Sequence, residues 1–131
     1  MEGIVLLDSS VLISYYRKKD KEKTFLFALS NEFSGYCISV VTEFETLTGG
    51  DESFWENLFS DFLIAPYNTA LNSIALSVKQ QLKKKRRSID FRDLIIASTA
   101  LHLGIPLATT NERDFAYIDK LHLITPKDFG L

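Results

Sequence analysis

Acidic residues at four places along this 131-residue chain have the type and spacing to do chemistry. They are Asp8, the pair Glu43 and Glu45, the pair Asp90 and Asp93, and Asp114. Gathered in one cleft, such acids would repel one another, and a folded protein keeps them ionised only by supplying cations. Mg2+ and Mn2+ prefer hard oxygen ligands, often one or two carboxylates with waters and substrate phosphate. An ion held in this way polarises a phosphodiester and lowers the pKa of a bound water. The chemistry on offer is therefore metal-assisted cleavage of an anionic substrate.

Each acid also has an ordinary reading. Asp8, with Ser9 and Ser10 after it, suits a helix start, because these oxygens accept from free backbone N–H groups. Asp90 is well placed to cap a later helix, with Asp93 at the third position of its first turn. Asp114 fits a turn. Glu43 and Glu45 stand two apart on one helix and point to different sides, so at most one faces Asp8. The residues alone leave open which member of each pair is used.

The elements that must position these acids alternate between strand and helix. Ile4-Val5-Leu6-Leu7 is a short continuous apolar run, as expected of a strand buried on both faces of a parallel sheet. Asp8 then falls at its carboxyl end, the edge where ligands bind in open α/β sheets. A short helix is expected over Val11 to Tyr16 and another over Thr24 to Phe33, stopped by Gly35. The charged link Arg17 to Lys23 between them reads as a solvated segment. Tyr36 to Val41 is β-branched and aromatic, a second strand. Thr42 to Thr48 reads as helix, stopped at Gly49-Gly50.

A further helix opens at Asp51 and runs to about Phe59, with Phe54, Trp55, Leu58 and Phe59 as an apolar stripe for the core or for a partner. Phe62 to Ala65 is a third strand. Asn68 caps a long helix through Lys84 whose apolar face holds Leu71, Ile74, Ala75, Val78 and Leu82. Asp90 opens the next helix, which stops at Gly104 with Pro106 just beyond. Leu107 to Thr109 and Leu121 to Ile124 are the fourth and fifth strands, and Pro126 to Leu131 is a tail. The alternation predicts one three-layer α/β/α domain over residues 1–131, with a parallel sheet and helices on both faces. Right-handed crossovers bring the strand carboxyl ends to one edge, where Asp8, Asp93, Asn111 and Asp114 can meet.

Composition narrows the function classes. A formal net charge of -2 gives no global basic field for nucleic acid, which weakens a simple binding module but not an enzyme with an acidic site. The local exception is Lys83-Lys84-Lys85-Arg86-Arg87. Cations are favoured at a helix C-terminus, and five together could also contact phosphate, with Lys84, Lys85, Arg86 and Arg87 as the candidates. Cys37 is the single cysteine, which excludes an intrachain disulfide and reads as a buried small hydrophobe. His102 and His122 lack ligand-like spacing and are not read as zinc ligands. Met1-Glu2-Gly3 lacks the basic region of a signal peptide, and no apolar run approaches the ~20 residues that cross a membrane. A cytoplasmic location is the expectation.

Four segments resemble the PIN domain family, and most of all its VapC-type ribonuclease toxins. Val5-Leu6-Leu7-Asp8-Ser9-Ser10-Val11-Leu12-Ile13 resembles the opening strand with its first metal-binding acid. In Ile38-Ser39-Val40-Val41-Thr42-Glu43-Phe44-Glu45-Thr46-Leu47-Thr48-Gly49, the family's Glu stands three after Thr and four before Gly, which selects Glu45 over Glu43. In Asp93-Leu94-Ile95-Ile96-Ala97-Ser98-Thr99-Ala100, the acid stands three before an Ile-Ala pair, which selects Asp93 over Asp90. Leu107-Ala108-Thr109-Thr110-Asn111-Glu112-Arg113-Asp114-Phe115 resembles the fourth, with Asp114 as its acid. The likeness covers nearly the whole chain, in order.

The resemblance implies a five-stranded parallel sheet of order 3-2-1-4-5 and a Mg2+- or Mn2+-dependent endoribonuclease. Asp8, Glu45, Asp93 and Asp114 would hold the metal, directly or through water, while an activated water attacks phosphorus and the 3′ oxygen departs. Ser9 or Asn111 would orient these ligands by hydrogen bonds. It further implies a homodimer silenced by a small antitoxin protein. Three other readings compete. One is a PIN nuclease that processes RNA or acts on DNA without an antitoxin, and another is a non-catalytic PIN-like scaffold. The third, a phospho-accepting receiver-like domain, needs an acceptor Asp after the third strand, where this chain has Pro66 and Tyr67.

Overall fold

The computed structural model describes residues 3–131. Met1 and Glu2, on which the signal-peptide argument leans, lie outside the described residues. Five strands, β1 (Ile4–Leu7), β2 (Gly35–Ser39), β3 (Leu63–Ala65), β4 (Leu107–Ala108) and β5 (Leu123–Ile124), form one parallel sheet in the order 3-2-1-4-5. The helices are α1 (Ser9–Arg17), α2 (Phe25–Leu29), α3 (Val40–Thr48), α4 (Glu52–Phe59), α5 (Ala70–Lys84), α6 (Phe91–Leu103) and α7 (Glu112–Phe115). No helix among the described residues is long and apolar enough to cross a membrane.

Strand side chains alternate between the two faces, so each face builds its own core. Leu6, Cys37, Ala65 and Leu107 pack with Val78 and Leu82 of α5 and with Ile96, Ala97 and Ala100 of α6. Val5, Leu7, Ile38 and Ala108 pack on the other face with Val11 and Leu12 of α1, Phe25, Leu26 and Leu29 of α2, and Trp55 and Phe59 of α4. The α4 stripe is thus core rather than partner surface at Trp55 and Phe59. Burial on both faces explains why β1 carries no polar residue until Asp8.

Several boundaries differ from the sequence expectation. β2 ends at Ser39, whose hydroxyl accepts from Val41 N–H at 3.1 Å, and Val40 and Val41 open α3. That cap overrides the β preference of two valines. α2 stops at Leu29, where the Ser30 hydroxyl donates back to Phe27 O, and Gly35 opens β2 instead of ending a helix. Asn68 Oδ1 accepts from Ala70 N–H at 3.0 Å, but the helix itself starts only at Ala70. α6 begins and ends as expected, with Asp90 as its cap and Gly104 in the left-handed region at φ 67°.

Candidate active site at the carboxyl edge of the sheet

Asp8 follows the central strand and is wholly buried. The ordinary reading of Asp8, as a cap of α1, does not hold, because its side chain makes no capping hydrogen bond. A buried carboxylate must be satisfied, and both oxygens are engaged elsewhere. Oδ2 accepts from the hydroxyls of Ser10 and Thr109, each at 2.8 Å. Oδ1 accepts from Arg92 Nη2 at 2.8 Å. Thr109 can reach Asp8 because β4 lies beside β1, with Leu7 opposite Ala108.

Arg92 gathers the other acids. Its Nε donates to Glu45 Oε1 at 2.5 Å and its Nη1 to Asp93 Oδ1 at 2.6 Å. Nη2 also donates to Ser9 Oγ. One guanidinium thus bonds three carboxylates delivered by β1, α3 and α6. Glu45, not Glu43, reaches the cluster, as expected for glutamates two apart on one helix. Asp93 faces it because the Asp90 carboxylate is spent on capping, accepting from Asp93 N–H at 2.9 Å.

Asp114 makes no bond to Arg92. It lines a cleft of about 170 Å³ with Asp90, Asp93, Arg87 and Arg113, so it stands beside the cluster on the Asp93 side. Burial pushes the Asp93 carboxyl up to about 6, and the nearby Asp90, Asp8 and Asp114 charges add to the rise while Arg92 opposes it. For Arg92 itself, burial works against the charge, but the Asp8 and Glu45 carboxylates outweigh it and raise the pKa.

The supporting groups differ from those expected. Ser9 contacts Arg92 rather than an acid, and Asn111 is held by its backbone, its N–H donating to Thr109 Oγ1 at 2.9 Å. Ser10 and Thr109, not Ser9 and Asn111, hold Asp8. Sequence reading missed them together with Arg92. The signal available was a hydroxyl two residues after an acid, a threonine ending the neighbouring strand and a cation adjacent to Asp93.

In the basic run, Lys85 is paired with Asp119 at 2.9 Å and donates to Tyr117 O. The Arg87 guanidinium lies 3.6 Å from the centre of the Tyr117 ring and lines the Asp93–Asp114 cleft. Lys84 and Arg86 are exposed. A second cleft, of about 530 Å³, opens on the other side of the cluster and is lined by Ser9, Arg92 and Asn111 together with Arg17 and Lys18. The charged link was read as solvated, yet its first two cations border the site.

Among the described residues, no three carboxylate, imidazole or thiol groups stand close enough together to hold a metal ion as they are. The acids are spaced around a guanidinium instead. Their chemistry nevertheless suits a hard divalent cation, because the donors are all oxygens and three carboxylates against one guanidinium leave the cluster net negative.

A three-layer fold with acids drawn to the carboxyl edge beside its central strand defines a class, and the PIN domain model matches residues 5–121. The chain belongs to the PIN domain family. It is 34% identical to ribonuclease VapC1 of Methanocaldococcus jannaschii, over 99% of this chain and 86% of that one. It is 29% identical to ribonuclease VapC of Rickettsia bellii, over 92% of this chain and 95% of the relative. Its fold matches the structure of VapBC-1 from nontypeable Haemophilus influenzae with a TM-score of 0.79, covering 94% of this chain and 98% of that one at 23% identity.

Proposed function

We propose that this protein is a Mg2+- or Mn2+-dependent endoribonuclease and the toxin of a type II toxin–antitoxin pair. The observation that carries the reading is the meeting of Asp8, Glu45 and Asp93 on one point at the carboxyl edge of the sheet, with Asp114 in the adjoining cleft. Support comes from relatives named ribonuclease VapC and from the VapBC structures that share the fold.

Asp8, Glu45, Asp93 and Asp114 would hold the metal. When bound, it would polarise the scissile phosphodiester and make a nucleophile available at neutral pH. The chain's own groups do the rest. Ser10 and Thr109 fix Asp8 so that Oδ1 faces Arg92 and the other acids. Asp90 caps α6 and so sets the direction of Asp93. Arg17 and Lys18 on one side, and Arg87 and Arg113 on the other, offer cations to the RNA backbone flanking the cut. The partners that complete this reading are a small antitoxin protein and a second copy of the chain, in the cytoplasm.

The test is purified protein with end-labelled structured RNA, and DNA of the same sequence alongside. Cleavage of RNA in Mn2+, abolished by chelator and by Asp8→Asn or Asp93→Asn, is the expected result. If either variant cuts as fast as the parent, the site assignment is wrong. Cleavage of the DNA alone would favour the DNA-acting alternative.

A further inference from the structure

Arg92 occupies the position toward which the acids point. Among the described residues it alone bonds Asp8, Glu45 and Asp93 together, through three different nitrogens, and its side chain is only 25% exposed. A guanidinium has five donors in a fixed fork and stays charged at any physiological pH. Without it, Asp8 would keep two hydroxyl donors but lose its one charged partner among the described residues, in a place that water does not reach.

From this geometry we infer that Arg92 is a resident counter-ion, a positioning residue that holds the acidic cluster together without metal and competes with a divalent cation for the same oxygens. The inference rests on the metal-dependent reading above. A divalent cation held by Asp8, Glu45 and Asp93 would draw on the same carboxylates that Arg92 bonds, and two positive charges cannot share one ring of acids without repulsion. Binding of the ion therefore turns the Arg92 side chain outward. The cleft that it already lines with Ser9, Arg17 and Lys18 is open to receive it. There the guanidinium becomes a third cation beside the RNA path. The acids are thus held together and correctly aimed in the absence of metal, and metal affinity is lower than the donor set alone would give.

The test is Mn2+ binding, read from the electron paramagnetic resonance of the free ion, on wild type, Arg92→Gln and Arg92→Lys. Arg92→Gln is expected to bind ~10-fold more tightly or better, a change equivalent to ~1.4 kcal/mol. Arg92→Lys, which keeps the charge, is expected to fall between the two. The metal-free melting temperature of Arg92→Gln should drop, and Mn2+ should raise it by more than it raises that of wild type. A merely structural arginine would give the opposite sign, with weaker Mn2+ binding once it is removed.

A second measurement uses the unaltered chain. The Nε–H proton resonance of Arg92, held by Glu45 without metal, should shift and exchange faster with water as Mg2+ is added. Equal or weaker Mn2+ binding by Arg92→Gln, or an Arg92 resonance unmoved at saturating Mg2+, overturns the inference alone. Absence of Mn2+ binding by every protein, with RNA still cleaved in chelator, would overturn the metal-dependent reading as well.

Discussion

The Thr109 hydroxyl donates to Asp8 Oδ2 at 2.8 Å, tying the end of β4 to the end of β1 across 101 positions of sequence. Both residues are wholly buried. A hydrogen bond to a buried charge counts for more than one to a neutral group, and losing its donor leaves the carboxylate under-satisfied. Thr109→Val keeps the shape and removes the donor. It is expected to cost ~1–3 kcal/mol of stability, measured by urea unfolding. RNA cleavage should fall ~10- to 100-fold, as when the orienting partner of a ligand is lost.

The two glutamates of α3 provide a contrast within one helix. Glu45 reaches Arg92, while Glu43 has no ion pair among the described residues. Glu45→Gln should lower the cleavage rate in Mn2+ by ~100-fold or more, beyond what a supporting group usually costs. Glu43→Gln should leave it unchanged. Single-turnover cleavage of one labelled RNA separates the two, and the reverse order would move the site by two residues.

The basic residues should not contribute equally. Lys85 already has Asp119 as a partner, whereas Arg87 lies on the Tyr117 ring and opens into the acidic cleft. With chelator present to prevent cleavage, Arg87→Ala should weaken RNA binding across sequences and reduce the slope of log affinity against log salt by ~1. Lys85→Ala should change that slope less. Fluorescence anisotropy over a range of salt concentrations provides both slopes.

Alkaline pH should reveal the packing of β2. Burial raises the Tyr36 hydroxyl to about 12 from an ordinary value near 10, and the group donates to Leu26 O at 2.7 Å. A raised folded-state pKa means that the folded chain holds its proton where the unfolded chain releases it. The stabilisation is complete below about pH 10 and is lost as pH rises through about 12. Wild type should therefore lose stability over that window more steeply than Tyr36→Phe. Thermal unfolding at pH 8, 10 and 11 would show it, and parallel curves would refute it.

Strand identity was legible because fully buried parallel strands leave short unbroken apolar runs such as Ile4 to Leu7. Strand ends were less legible. Val40 and Val41 have strand propensity, but a single serine hydroxyl turns them into the first residues of α3. Right-handed crossovers made one sheet edge the place for the acids to meet, but it was the resemblance to PIN domains that singled out Glu45 over Glu43 and Asp93 over Asp90. Arg92 could not be singled out in this way. A lone arginine beside an acid at a helix start looks like surface charge, and only the fold shows three carboxylates arriving around it from distant segments. Arg17 and Lys18 were hidden for the same reason, inside a charged stretch that reads as a solvated link, although both are exposed beside the site.

The first turn of α6 carries the Asp90 cap, Arg92 and Asp93 within four residues, and the helix is buried from Asp93 through Ala100. Each residue of helix advances the azimuth by about 100°. Inserting one residue between Asp93 and Leu94 while the helix from Leu94 onward stays seated would swing cap, cation and acid away from Asp8 together. Evolution can therefore exchange side chains in this turn one at a time, but it cannot alter the turn's length without extinguishing the whole constellation in a single step.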